Sequence, residues 1–369
     1  MWLQLTLIFF ALIVYAFLNK QGDNPRRRHN YVTFLIIILI LQSALRHVAV
    51  GVDTYAYYEI FEDVKFKSWS SIWQGFHNTY ITGTGKDPGY PLLQKLFQYI
   101  SEDYRVFLFA IAIAFFFPFY RLIEKNVDTL QGLFLSFCIY QTIYYGFFSI
   151  TGLRQTIATI ATIYGMYFIL KRQLVPFLII ILCAATIHKS VLVFAPFYFL
   201  YNMPKSKTIL VICLLSLPLL ISVARPFSLF LAEQSGAEHY MMYANSTYET
   251  DGAQNYLILL IGASLLTLLK KYKGSTPLPN FVICGMCLAL VFAPLTWVDP
   301  TLMRVGQYYS IFMLIAIPQC MTTLNLTPNM RGWVYWIFFI IVIAVILKHN
   351  SQYEFFWNHM ELGENYLHR

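Results

Sequence analysis

Long apolar runs recur along this chain from residue 2 to residue 348, separated by short polar connections that are mostly basic. A helix rises 1.5 Å per residue, so about 20 apolar residues cross a bilayer. Such runs lie near residues 2–18, 31–45, 106–120, 130–148, 154–170, 208–224, 256–269, 278–294, 303–320 and 332–348. Another, 174–201, is interrupted at its middle by His188 and Lys189. The pattern predicts an all-α, polytopic integral membrane protein, a single domain over residues 1–369.

A charged side chain at mid-bilayer costs about 2.5–3.5 kcal/mol even on lenient insertion scales. The pair at 188–189 is therefore expected at a turn between two short helices, 174–187 and 190–201. Basic loops mark the cytoplasmic side of a membrane protein. With the turn outside, every basic connection becomes cytoplasmic: Lys20 with Arg26–Arg28, Arg121 and Lys125, Lys171 and Arg172, Lys205 and Lys207, Lys270 to Lys273, and Arg331. The cytoplasmic side then carries 14 Lys and Arg against three acids, and the outer side 12 against 15. The resulting topology has about 12 transmembrane helices and both ends outside. Its large extracytoplasmic loops lie at about 46–105 and 225–255, with a tail over 349–369. No basic residue precedes 2–18 and "NPRRR" follows it. That order reverses a cleavable signal peptide and predicts a retained first helix.

Composition sharpens the class. Charged residues make up 12% of the chain and hydrophobic ones 58%, whereas a soluble domain is near 25% charged. The net charge of +8 is accounted for by the topology, so no nucleic-acid partner is implied. All six cysteines fall in apolar runs, and Cys284 and Cys287 read as small residues on one helix face. No metal-ligand spacing, P-loop or strand-borne GxGxxG appears, so neither metal nor cofactor is expected.

On this topology the polar side chains gather at the outer helix ends. Arg46 ends one span in "ALRHVAVGVDTYAYY", Arg154 and Gln155 open another in "ITGLRQTIA", and His188 and Lys189 form the turn. Arg225 ends a span in "VARPF", and Asp299 and Arg304 open one in "WVDPTLMRVGQYY". Guanidinium forks bind phosphate oxygens in pairs, so this gathering predicts an anion site. Positive charge at the outer face also runs against the topology rule, which marks Arg154 in particular. Long basic side chains do anchor helix ends by snorkelling, the bland alternative for any one of them. Two loop motifs join the cluster: "GVDTYAYY", with Asp53, Thr54 and Tyr55, and "KDPGYPLL", with Asp87 and Tyr90 around a Pro-Gly turn. Tyr and Trp are frequent in the same segments, as in an interfacial belt or a platform for sugar rings.

Four of these motifs in order, Arg46 with "GVDTYAYY", "DPGY" at 87–90, "RQTIA" at 154–158 and "HKS" at 188–190, resemble the EpsG family of bacterial membrane proteins, grouped with Wzy-type polysaccharide polymerases. Beyond residue 190 the likeness rests on hydropathy and Arg304. The resemblance implies a glycosyltransferase of the bacterial cytoplasmic membrane, its active site facing the extracytoplasmic side. It would polymerise oligosaccharide repeat units carried on polyprenyl (undecaprenyl) pyrophosphate. Arg46, Arg154, Arg304 and Lys189 are then expected at the pyrophosphate. His188 or Asp53 would be the base, and Gln155, Tyr55, Asp87, Tyr90 and Asp299 would meet the glycan. The ordinary titration range of histidine suits a general base, and Lys189 beside it favours the neutral form by repulsion. Expected partners are membrane lipid, a chain-length regulator and a flippase. A flippase or a glycan ligase using the same donor is the alternative activity. The absence of visible repeats and of mid-bilayer polar groups favours chemistry over transport.

Overall fold

A computed structural model describes residues 2–51, 53–235, 251–269, 278–322, 327–348 and 353–358. Among them the regular structure is helical, with one isolated β-bridge between Arg46 and Phe355. In chain order the helices are α1 (Trp2–Lys20), α2 (Pro25–Ala44), α3 (Thr54–Phe66), α4 (Trp69–Tyr80), α5 (Gly89–Phe97) and α6 (Tyr104–Asn126). Next come α7 (Leu130–Ile139), which widens into a π-helix over Tyr140–Thr151, then α8 (Leu153–Leu170) and α9 (Leu174–Ile187). A 3-10 turn (Lys189–Phe194) and the short α10 (Phe197–Leu200) precede α11 (Ser206–Ser235). The remaining helices are α12 (Asp251–Leu269), α13 (Asn280–Phe292), α14 (Met303–Ser310), α15 (Met313–Thr322) and α16 (Pro328–Lys348).

Local chemistry sets several of the boundaries. Asn24 caps α2 by accepting from the Arg27 N–H at 3.0 Å, and Pro25 fills the first helical position, where no donor is needed. Ser68 caps α4 in the same way through Ser71 N–H at 3.2 Å. At His188 the backbone turns extended (φ −156°, ψ 102°) and α9 ends. The interruption expected in the 174–201 run is therefore a real break, between an α-helix and a 3-10 turn.

Among the described residues, five helical segments are both long and apolar enough to cross a membrane: Trp2–Lys20, Tyr104–Asn126, Leu130–Thr151, Ser206–Phe230 and Asn280–Trp297. Five further apolar helices are shorter. The all-α membrane class is thus borne out. Three expected features differ in detail. The 303–320 run is two helices, broken at Ile311–Phe312. The run ending at 224 continues as helix to Ser235, through Pro218 and Pro226, and much of the outer segment expected after it lies outside the described residues. The expected 46–105 loop holds three helices, α3 to α5, because Thr54, Tyr57, Phe61 and Val64 form one buried face at helical spacing. Large apolar side chains such as Phe9 on α1, Leu215 and Leu219 on α11, and Trp333 and Trp336 on α16 point outward. A soluble monomer rarely exposes such faces; hydrocarbon accommodates them.

The chain forms two compact units. The first comprises the described residues of Met1–Lys125, Phe137–Leu192 and Val334–Arg369. In it α8 packs on α9, and α5 packs on both α3 and α9. The second comprises those of Asn126–Ser136 and Val193–Trp333. Its core centres on Tyr309, stacked on Phe292 with ring centroids 5.8 Å apart and donating its hydroxyl to Val193 O at 2.5 Å.

Candidate active site

Three separate motifs converge in the first unit. Asp87, 3% exposed, sits in the left-handed region (φ 50°), where the "DPGY" turn enters α5. Its Oδ2 accepts from Arg154 Nη1 at 2.6 Å. The same carboxylate accepts from the backbone N–H of Lys189, the residue after the α9 break. Asp87 therefore ties "DPGY", "RQTIA" and "HKS" to one point. Burial pushes its carboxyl above the usual range, and Arg154, Lys86 and Lys189 pull it back.

Each motif has a packing reason for being there. A Cβ on Gly89 would overlap Thr186 Oγ1 and lie 2.7 Å from Thr186 Cβ, so only glycine lets α5 approach the end of α9 this closely. Gly51 (φ 99°) meets Ile150 and Thr151 in the same way, with a Cβ only 2.6 Å from Ile150 Cγ2. Thr54 adds a hydrogen bond to Ile150 O at 3.2 Å. The "GVDT" motif is thus docked against the end of the π-helix. That helix closes with Gly152 N–H bonded to Phe147 O at 2.7 Å, and α8 starts one residue later with Leu153 and Arg154. Wide-turn helices are uncommon and recur at functional sites.

Arg154 keeps 27% of its side chain exposed, so it is held by Asp87 yet open on one side. Its guanidinium lies over the Tyr57 ring, 5.5 Å from the centroid, and Tyr57 meets Tyr90 edge-on at 5.6 Å. Tyr90 is within electrostatic reach of both Arg154 and Arg46. Arg46 is 3% exposed, and its Nη1 donates to the Ser43 carbonyl.

The EpsG family model matches residues 29–360. The chain belongs to the EpsG family. No curated protein and no solved structure matches it. Membership makes this a membrane protein of the polysaccharide-polymerase type, with a role in polysaccharide biosynthesis.

The other expected site residues of this EpsG protein fall as follows. His188 is half-buried at the end of α9, its N–H bonded to Ala184 O at 2.9 Å, and Lys189 is exposed. Asp53 occupies the N-cap position of α3 without a side-chain capping bond, and Tyr55 is half-buried two residues along. Gln155 and Tyr90 are buried like Asp87. In the second unit, Asp299 is buried and accepts from Thr301 N–H at 2.7 Å and from Thr301 Oγ1 at 2.5 Å, a local turn closure. Arg304 is half-buried near the start of α14, and Arg225, expected at a helix end, lies inside α11, which runs on to Ser235, and donates to Val298 O at 3.3 Å. Tyr57 and Thr186 escaped the sequence reading. The periodic face Thr54–Tyr57–Phe61–Val64 was the available signal for Tyr57; for Thr186, only a contact with Gly89 distinguishes it.

Proposed function

We propose that this protein extends a glycan by transferring it from a polyprenyl pyrophosphate onto a sugar hydroxyl of the next lipid-linked repeat unit, at the outer face of a bacterial cytoplasmic membrane. The observation that carries this is the half-open Arg154 guanidinium, fixed by a buried carboxylate beside the His188–Lys189 break. A pyrophosphate leaving group needs donors aimed at the charge that develops on its bridging oxygen. Arg154 supplies a pre-oriented fork, and Lys189, exposed at the same turn, supplies a second charge. The acceptor oxygen attacks the anomeric carbon, and the bond from that carbon to the pyrophosphate oxygen breaks. The electron pair leaves with the pyrophosphate, and the hydroxyl proton passes to His188, with Asp53 the rival base. Arg304 is kept as a candidate ligand on the family likeness alone.

Arg154→Lys tests the reading, since it keeps the charge and loses the fork. Polymer formed in cells should drop severely at normal protein level. Arg121→Lys should stay near wild type, because Arg121 pairs with Glu124 within the last turns of α6, in an ion pair that lysine's ammonium can still make. Equal effects from both substitutions would reduce Arg154 to a helix anchor.

A further inference from the structure

The first unit also holds a half-open cavity of about 470 Å³, within the range of roughly 300–1,000 Å³ typical of small-ligand sites. Arg46 lines it. The Nε of this almost wholly buried guanidinium makes no hydrogen bond among the described residues. Leaving such a donor unmatched is costly.

The wall chemistry decides what kind of ligand. Arg46, Lys65 and Arg105 face Glu62, Glu102 and Asp103, three charges of each sign. Lys65 and Glu62 already pair at 2.7 Å. A pyrophosphate entering here would meet three carboxylates, whereas a neutral polyol meets acceptors and donors in equal supply. Carboxylates accept hydrogen bonds from sugar hydroxyls, and guanidinium groups donate them to ring and hydroxyl oxygens. Apolar contact comes from Tyr58 and from Phe356, whose ring lies under the Arg105 guanidinium at 4.2 Å. Balanced charge with aromatic faces is a saccharide's complement. Tyr58 adjoins Tyr57, the residue beneath Arg154, so the cavity lies close to the ion pair along α3.

We infer that this cavity is a subsite for a neutral sugar unit of the glycan, separate from the pyrophosphate site. The inference rests on the proposed polymerase reading and deepens it.

The test compares two lipids on the purified, membrane-reconstituted full chain: bare polyprenyl pyrophosphate, and the lipid-linked repeat unit extracted from cells that lack this protein. The variants are Glu102→Gln with Asp103→Asn, and separately Arg105→Gln. Asn at 103 retains an oxygen for the Arg105 N–H that Asp103 now caps at 2.8 Å. Both variants should bind the bare lipid as wild type does and lose about tenfold or more in affinity for the glycosylated one, the cost of one charged hydrogen bond. Arg154→Lys should weaken both lipids alike. Carboxyl reduction of the repeat unit's sugars should leave binding intact, and a tenfold loss on reduction would overturn the neutral assignment. The subsite is also overturned if the cavity variants weaken both lipids equally, or neither. A wild-type protein that binds neither lipid better than phosphatidylglycerol would instead sink the polymerase reading itself.

Discussion

Asp87 shows how one side chain sets the behaviour of another. Its carboxyl is pushed up by burial despite the adjacent Arg154. A raised pKa means the proton is taken up at higher pH than a free carboxyl requires, which is about 4. As pH falls through that raised value, Asp87 becomes neutral and Arg154 loses its charged anchor. Chain extension by vesicles should therefore show an acid limb that begins above the ordinary carboxylate range. Asp87→Asn should lower the rate and remove that limb. Only a limb missing from the Asn variant belongs to Asp87; identical profiles would clear Asp87 of the role. The base assignment is separable. His188→Gln keeps hydrogen bonding without accepting a proton, so chain extension should slow by about 10²–10⁴ while single-repeat lipid accumulates. Normal extension by His188→Gln, with loss in Asp53→Asn, would move the base to Asp53.

Among the elements, the decisive contact is α5 on the end of α9, which Gly89 permits. Gly89→Ala forces a methyl into Thr186, including its backbone carbon at 2.8 Å. Overpacking of this kind costs about 1–3 kcal/mol. The variant should show a lowered melting temperature in detergent and little polymer. An unchanged melting temperature and full activity would show that α5 shifts freely and that the turn does not set the site. This contact also marks where sequence reading stopped. The apolar runs, the break at His188 and the four motifs were legible because hydropathy and turn residues are local properties. The Asp87–Arg154 pair was not, since its partners lie 67 positions apart and both had been expected to meet substrate. The π-helix was also missed: its residues "YQTIYYGFFSIT" read as an ordinary apolar run, and a hydrogen-bond register leaves no mark on hydropathy.

At the scale of the whole molecule, the proposal depends on which side of the bilayer the 188–189 turn faces. Ser190→Cys should react with a membrane-impermeant thiol reagent in intact cells whose outer face is accessible. Lys205→Cys should react only after the membrane is opened. Lys205 is the better probe of that side than Ser206, which is buried. The background must lack Cys183, an exposed native thiol. Reversed labelling would place the Arg154 cluster in the cytoplasm and remove the outer-face chemistry.

The turn that carries Arg46 is completed from the far end of the chain. His47 N–H bonds to Glu354 O at 2.8 Å, Phe356 N–H to Leu45 O at 3.0 Å, and Tyr353 hydroxyl to Gln42 O, 311 residues away, at 2.8 Å. A ribosome exposes Arg46 long before it makes Tyr353. During synthesis the guanidinium therefore waits without this backing while α3 to α16 are made, until the six residues Tyr353–Asn358 complete the arrangement. Biogenesis thus has a built-in order: a chain stalled after α16 would be threaded through the membrane yet lack this wall of the cavity. This wall of the cavity is therefore a late product of synthesis, though the arginine it backs is an early one.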